Sequence, residues 1–195
     1  MLETAHLHFK IYKPCGMLSQ LHSNDAKEAR NKRFLNELYN FPNGIMPIGR
    51  LDEKSEGLLL LTTDGKLSDL INRSGIEKEY YVQLDGEITN EAIELLRNGV
   101  EIGFHGRKYV TKSTLVHRLN TLPTLPEADK KLRIGRHRPT TWISITITEG
   151  KFRQVRKMTA AVGFPTLRLI RIRIGNINLK GLAPGKVVPI KEPSF

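Results

Sequence analysis

Gly49-Arg50-Leu51-Asp52-Glu53-Lys54-Ser55-Glu56-Gly57-Leu58-Leu59-Leu60-Leu61-Thr62 sets a Gly-bounded loop directly before an unbroken apolar run. Leu58 to Thr62 reads as a buried strand. A loop that feeds such a strand holds one carboxylate, Asp52, on a rigid edge with an open face. The plainer reading is a turn residue, because Asp in a Gly-rich loop stabilises turns more often than it reacts. The loop alone leaves both readings standing.

Upstream of this loop, Leu7 to Lys13 reads as a strand that ends in the turn Lys13-Pro14-Cys15-Gly16. Ala26 to Tyr39 reads as one helix, with Phe34, Leu35 and Leu38 on its apolar side and Asn24 or Asp25 as its cap. Lys66 to Ile71 reads as a short helix and Tyr80 to Leu84 as a strand. Glu91 to Leu96 is a helix capped by Thr89 or Asn90 and stopped near Gly99. A hairpin around Gly103 to Gly106 precedes a strand within Val110 to Arg118. Trp142 to Thr148 alternates strictly, with Ile143, Ile145 and Ile147 on one face. Phe152 to Val162 is a helix with Phe152, Val155, Thr159 and Val162 on its apolar side, ending at Gly163 with Pro165 beyond. Leu167 to Ile174 is a strand with Leu169, Arg171 and Arg173 on one face. Many strands with few helices predict an α+β fold with a mixed, mostly antiparallel β-sheet and flanking helices. Residues 120–140 carry three prolines, many charges and little periodicity, and read as a surface insertion loop. The whole stretch 1–195 is expected to be a single domain.

The chain has 195 residues and a formal charge of +11. Its distribution is more telling than its size. Lys130 to Arg173 carries twelve Lys and Arg against one acid, Glu149, and so holds the entire excess. Such asymmetry predicts a surface for a polyanion, with a solvated basic face as the bland alternative. A membrane surface fits less well, since the stretch lacks a long amphipathic helix with bulky apolar anchors. No apolar run approaches the roughly 20 residues of a membrane span. The N-terminus has no basic region followed by an apolar one, so no secretory signal is expected. The single Cys15 excludes an internal disulfide and fits a reducing, cytoplasmic setting. Six scattered His give no metal-ligand spacing, so no metal is expected.

A carboxylate that works on RNA must be ionised near a cation. Burial raises its pKa, and an adjacent Arg lowers it. Arg156 is the best candidate for that cation, because it lies where the basic helix face meets the apolar one. Arg50 can grip a phosphate or the neighbour of a displaced nucleotide. Of Tyr80 and Tyr81, adjacent on one strand, one faces the core and the other can offer a ring to a base.

Four segments in order carry a family resemblance. They are Lys13-Pro14-Cys15-Gly16, then Gly49 to Thr62, then Lys78-Glu79-Tyr80-Tyr81-Val82, then Glu149 to Met158 continued by Val162-Gly163-Phe164-Pro165 and Leu169-Ile170-Arg171. Together they closely resemble the RNA pseudouridine synthases of the small-subunit rRNA type (the RsuA-like family), from about Leu7 to Pro189. The resemblance implies the pseudouridine synthase fold, with an active-site cleft along the middle of the sheet. It implies Asp52 as the catalytic aspartate, Tyr80 as the ring against the target uracil, Arg156 as the cation paired with Asp52, and Leu169 as an apolar wall. RNA contacts are expected from Lys13, Arg50, Arg136, Arg138, Lys151, Arg153, Lys157 and Arg171.

The reaction implied is isomerisation of uridine to pseudouridine. It involves no redox change and no hydrolysis, so no cofactor is expected. The target base must leave its stack, at a cost of a few kcal/mol. Asp52 could attack the ribose, attack the base, or remove a proton. Most of the family carries an N-terminal RNA-binding module, and here the first catalytic strand begins almost at once. With the Pro-rich insertion and the run Met158 to Arg171, this resembles a short branch acting on 23S rRNA. The expected partner is therefore ribosomal RNA at a single-stranded or looped uridine, without DNA, membrane or a second chain. Alternatives are 16S or another RNA as substrate, or a non-catalytic ribosome-assembly factor. A DNA-binding regulator lacks support, since no helix-turn-helix pairing is found.

Overall fold

The computed structural model describes residues 5–195, except 105, 122–123, 131, 133 and 135–137. The chain divides into two compact units, residues 1–76 with 171–195 and residues 77–170.

The first unit is built around β3 (Glu56–Thr62), with every residue buried. β1 (His8–Lys13) pairs antiparallel with it from His8↔Thr62 to Lys13↔Gly57. The short β2 (Met46–Ile48) also pairs with β3, and β11 (Val187–Ile190) pairs with the outer edge of β1. A strand covered in this way needs apolar residues on both faces, which is why Leu58 to Leu61 does not alternate. One face packs Leu59 and Leu61 against Phe9, Ile11, Met17, Leu35 and Ile45. α2 (Gly65–Arg73) follows β3 directly, its first amides capped by the Asp64 carboxylate.

The predicted helix 26–39 is shorter than expected. α1 spans only Ala26–Asn31, capped by Asp25, and buries no residue. Its apolar residues all lie beyond it, so the helix itself has no stripe to bury. The chain instead turns extended at Lys32. The Arg33 carbonyl then accepts from the Leu18 amide, and the Leu35 amide donates to the Gln20 carbonyl. That path delivers Leu35 to the core, and a single 3₁₀ turn (Leu35–Glu37) follows.

The second unit pairs β4 (Lys78–Asp85) antiparallel with β8 (Thr140–Ile147) along their full lengths, and β7 (Leu115–Arg118) lies on the far edge of β8. α3 (Asn90–Asn98) is capped by Thr89 and ends at Gly99. β5 (Glu101–Phe104) and β6 (Arg107–Val110) form a separate two-stranded hairpin. The strand expected within 110–118 is β7, confined to the last four residues of that range, because Thr111 and Thr114 bond the end of α3 rather than a neighbouring strand. The Thr111 hydroxyl accepts from the Val100 amide at 2.9 Å, and the Thr114 hydroxyl donates to the Leu96 carbonyl at 2.8 Å.

α4 (Gln154–Ala161) starts two residues later than predicted. Arg153 before it takes a left-handed conformation (φ 53°), the one described non-Gly residue that does so. Phe152 is therefore outside the helix and 66% exposed, not on its apolar side. β9 (Thr166–Ile174) contributes residues 166–170 to this unit and 171–174 to the first, where β10 (Ile177–Asn178) pairs with it. The pairings β1–β3, β1–β11, β2–β3, β4–β8, β5–β6, β7–β8 and β9–β10 are all antiparallel, in line with the mostly antiparallel sheet expected from the sequence. Among the described residues no helix is long and apolar enough to cross a membrane.

Candidate functional site

The loop that carries Asp52 leaves β2 through Gly49, whose φ of +66° favours glycine and whose added Cβ would crowd the Asn72 amide oxygen at 3.0 Å. Leu51 then anchors the loop, with its side chain buried and both backbone groups held by one hydroxyl. Ser19 Oγ accepts from the Leu51 N–H at 3.0 Å and donates to the Leu51 carbonyl at 2.9 Å. Ser19 is itself buried. Asp52 follows, half-buried, and its carbonyl accepts from the Ser55 amide at 2.9 Å to close the turn into β3. The turn reading and the site reading of Asp52 are thus compatible, since the backbone makes the turn.

Residues 13–19 cradle this loop from one side. The Glu53 carbonyl accepts from the Gly16 amide at 2.8 Å and from Lys13 Nζ at 3.4 Å. The Glu53 carboxylate receives Lys32 Nζ at 2.8 Å. Lys13, expected to contact RNA, is wholly buried, which corrects that expectation. Its ammonium donates to the Met17 carbonyl at 2.7 Å and the Pro14 carbonyl at 2.8 Å. Burial pushes its pKa down to about 8, against the opposing influence of Cys15, Glu56, Glu53 and Asp52. Lys13 is an internal staple between the first motif and the loop.

Arg50 is exposed and lines a cavity of about 460 Å³ together with Ser19, Gln20, His22, Met46 and Asn72. Arg171 lies inside the first unit, 3% exposed, with Nε donating to the Leu58 carbonyl at 2.7 Å. At that burial it is no surface contact for RNA, and its Nη2 is buried without a hydrogen-bond partner among the described residues.

In the second unit Tyr80 is 7% exposed and faces the side of Val82 and Leu84, opposite Ile145 on β8. Tyr81 is the more open ring, and partial burial, with Glu79 nearby, raises its pKa. Leu169 is buried. Arg156 is half-buried on α4, with Nη1 3.4 Å from the Thr166 carbonyl. Arg138 ion-pairs with Asp85 at 3.1 Å and is partly exposed. Arg136 lies outside the described residues.

Lys151, Arg153 and Lys157 surround the start of α4, where Glu149 organises the surface. Its carboxylate accepts from the Tyr109 hydroxyl, the Lys112 amide at 3.0 Å and the Gln154 side chain at 2.6 Å. Burial pushes Glu149 up, and these hydrogen bonds with the Lys151 charge outweigh it, so its pKa lies below the ordinary carboxylate value. Lys157 Nζ donates to the Gly103 carbonyl at 2.7 Å, which ties the β5–β6 hairpin to α4. Sequence reasoning missed Ser19 and this docking. A lone Ser gives no signal, and nothing in the hairpin's pattern names its partner.

Residues 8–161 match the RNA pseudouridylate synthase family. The chain is 40% identical over 178 residues to ribosomal large subunit pseudouridine synthase E of Xanthomonas campestris pv. campestris, covering 90% of this chain and 91% of that protein. It is 31% identical over 182 residues to ribosomal large subunit pseudouridine synthase B of Bacillus subtilis, covering 92% and 66%. Its fold superposes on a crystal structure of a pseudouridylate synthase with a TM-score of 0.74 at 26% identity, over 96% of this chain and 71% of that one. The matched residues include the first motif, the Asp52 loop, the Tyr80 strand and the basic helix, and the chain belongs to the RNA pseudouridylate synthase family.

Proposed function

We propose that this chain isomerises a uridine of large-subunit, 23S ribosomal RNA to pseudouridine, with Asp52 as its catalytic residue. The observation that carries the reading is the family match over residues 8–161, which takes in the Asp52 loop, the Tyr80 strand and the basic helix, joined to relatives whose names both specify the large ribosomal subunit. In this reading Tyr80 lies against the target uracil, Arg156 is the cation for the Asp52 carboxylate, and Leu169 walls the base. Those three roles rest on the family pattern. Lys151, Arg153, Lys157, Arg136 and Arg138 hold the RNA backbone without reading its sequence. Arg50 takes a phosphate or a neighbouring nucleotide in its cavity. The enzyme works in the cytoplasm as a monomer, as one catalytic domain with 120–140 as an insertion that contacts RNA.

The chemistry balances without a co-reactant. The bond from the ribose to N1 breaks, a bond from the ribose to C5 forms, C5 loses a proton, and N1 gains one. The groups required are a carboxylate held in place, a ring to receive the displaced base, and cations to hold the strand. Base displacement costs a few kcal/mol, and stacking together with phosphate contacts offsets it.

The test is carbodiimide-primed reverse-transcription mapping of rRNA from cells lacking the protein, complemented with wild type or Asp52→Asn. One stop should vanish from 23S rRNA and return only with wild type. An unchanged set of stops, or restoration by Asp52→Asn, contradicts the reading.

A further inference from the structure

The β5–β6 hairpin and the start of α4 interleave aromatic rings with cations. Lys151 Nζ lies 5.3 Å from the Phe104 ring centre and 5.1 Å from that of Tyr109. Lys157 Nζ lies 5.9 Å from the Phe104 ring and 5.3 Å from the Phe152 ring. The hairpin register pairs Phe104 with Arg107 and Ile102 with Tyr109, so Phe104, Arg107 and Tyr109 share one hairpin face. Phe104, Arg107, Lys108 and Tyr109 border a cavity of about 450 Å³.

Clamping the hairpin onto α4 accounts for part of this. Phe104 and Tyr109 are half-buried, and the Glu149 and Lys157 hydrogen bonds fix the hairpin already. Clamping does not account for Phe152, a large ring left 66% exposed beside Lys157. Nor does it account for Arg107, which is exposed on the same hairpin face. Glu149 is engaged by Tyr109, Lys112 and Gln154, so it is committed to holding the surface together. The cavity volume is within the range of sites that hold small ligands.

We propose that this hairpin, with Phe104, Tyr109 and Phe152, is a stacking platform for an unpaired stretch of the RNA substrate, separate in sequence from the Asp52 loop. The proposal rests on the reading of the chain as an RNA-modifying enzyme. Rings interleaved with cations suit single strands, since every base has a face to stack and every nucleotide a phosphate. An acidic protein partner would use the cations and leave the exposed ring without a purpose. Duplex RNA keeps its bases stacked inward and offers the rings nothing.

Fluorescence anisotropy with a labelled ten-nucleotide single-stranded RNA tests it. Phe152→Ala should weaken binding about tenfold, and Phe152→Trp should restore it. Arg107→Glu should weaken binding and lower its salt dependence. Both positions are exposed, and a melting curve for each variant checks that it folds. Wild-type affinity in Phe152→Ala and Arg107→Glu overturns the proposal. So does failure of the Trp variant, or equal displacement of the RNA by an acidic peptide. Binding is read here without turnover, so a chain that isomerises no rRNA uridine fails the functional reading and leaves this test standing.

Discussion

The Ser19 hydroxyl closes on both backbone groups of Leu51, accepting from its N–H at 3.0 Å and donating to its carbonyl at 2.9 Å. Leu51 immediately precedes Asp52, so one buried side chain fixes the approach to the proposed catalytic carboxylate. Ser19→Ala leaves a buried amide and carbonyl without that partner, at about 1–3 kcal/mol. The expected outcome is a lower melting temperature and a larger loss in single-turnover rate than in RNA affinity. Ser19→Thr, which keeps the hydroxyl, should recover most of both. Equal activity in Ser19→Ala would show that the loop holds itself.

Lys13 predicts a pH signature. Its pKa falls from 10.5 unfolded to about 8 folded, chiefly through burial. Between those values the unfolded chain binds the extra proton, so stability contributed by this group rises with pH. Below pH 8 both states are protonated and the penalty of burying the charge is fully present. Wild type should therefore gain on Lys13→Met from pH 8 to 10.5, by roughly 3 kcal/mol at about 1.4 kcal/mol per unit. Denaturant unfolding of both proteins across that window measures it. A constant difference would mean that the ammonium is not disfavoured inside.

Much of this architecture is legible in the sequence, and the exceptions share a cause. β3 announces itself as four consecutive Leu, and α3 shows its Thr89 cap and Gly99 stop. Local pattern fixes such elements. The helix expected over 26–39 breaks because Leu35 reaches the core only through an extended path along residues 17–20, a tertiary choice that periodicity does not carry. Lys13 and Arg171 read as surface cations by residue type, yet both lie inside, donating to backbone carbonyls that no sequence pattern displays, and Arg171 Nη2 is buried there without a hydrogen-bond partner among the described residues. The motif residues stand out as candidates because four motifs occur in order, whereas Asp52 alone reads as a turn. The hairpin on α4 depends on Glu149 reaching Tyr109 and Lys112, a long-range contact with no local trace.

Gly99 tests the hairpin's support. It adopts φ +94°, and a Cβ there would overlap the Thr111 carbonyl oxygen, a backbone atom. Gly99→Ala should destabilise the chain by about 2–4 kcal/mol through combined backbone strain and overlap. Thermal unfolding measures this. A change below half a degree would show that the backbone at 99–111 yields freely.

Tyr80 separates ring from hydroxyl. Under the proposed role Tyr80→Phe keeps the stacking surface, and Tyr80→Leu removes it while keeping an apolar side chain. Tyr80→Phe should retain more single-turnover activity, with Tyr80→Leu lower by a further tenfold or so. Equal losses in the two variants, with both folded, would count against stacking.

Asp52, as proposed, catalyses the isomerisation, and hydrogen release from the target base reports on it directly. Because C5 of the target uridine gives up its hydrogen when it bonds to the ribose, tritium placed at C5 enters water once per turnover. Purified protein incubated with 5-tritiated 23S rRNA from cells lacking it should release tritium from one uridine per molecule, and Asp52→Asn should release none above background. Release by Asp52→Asn at the wild-type rate would contradict the assignment of Asp52, and absence of release by wild type on RNA that it binds would contradict the proposed reaction on that RNA.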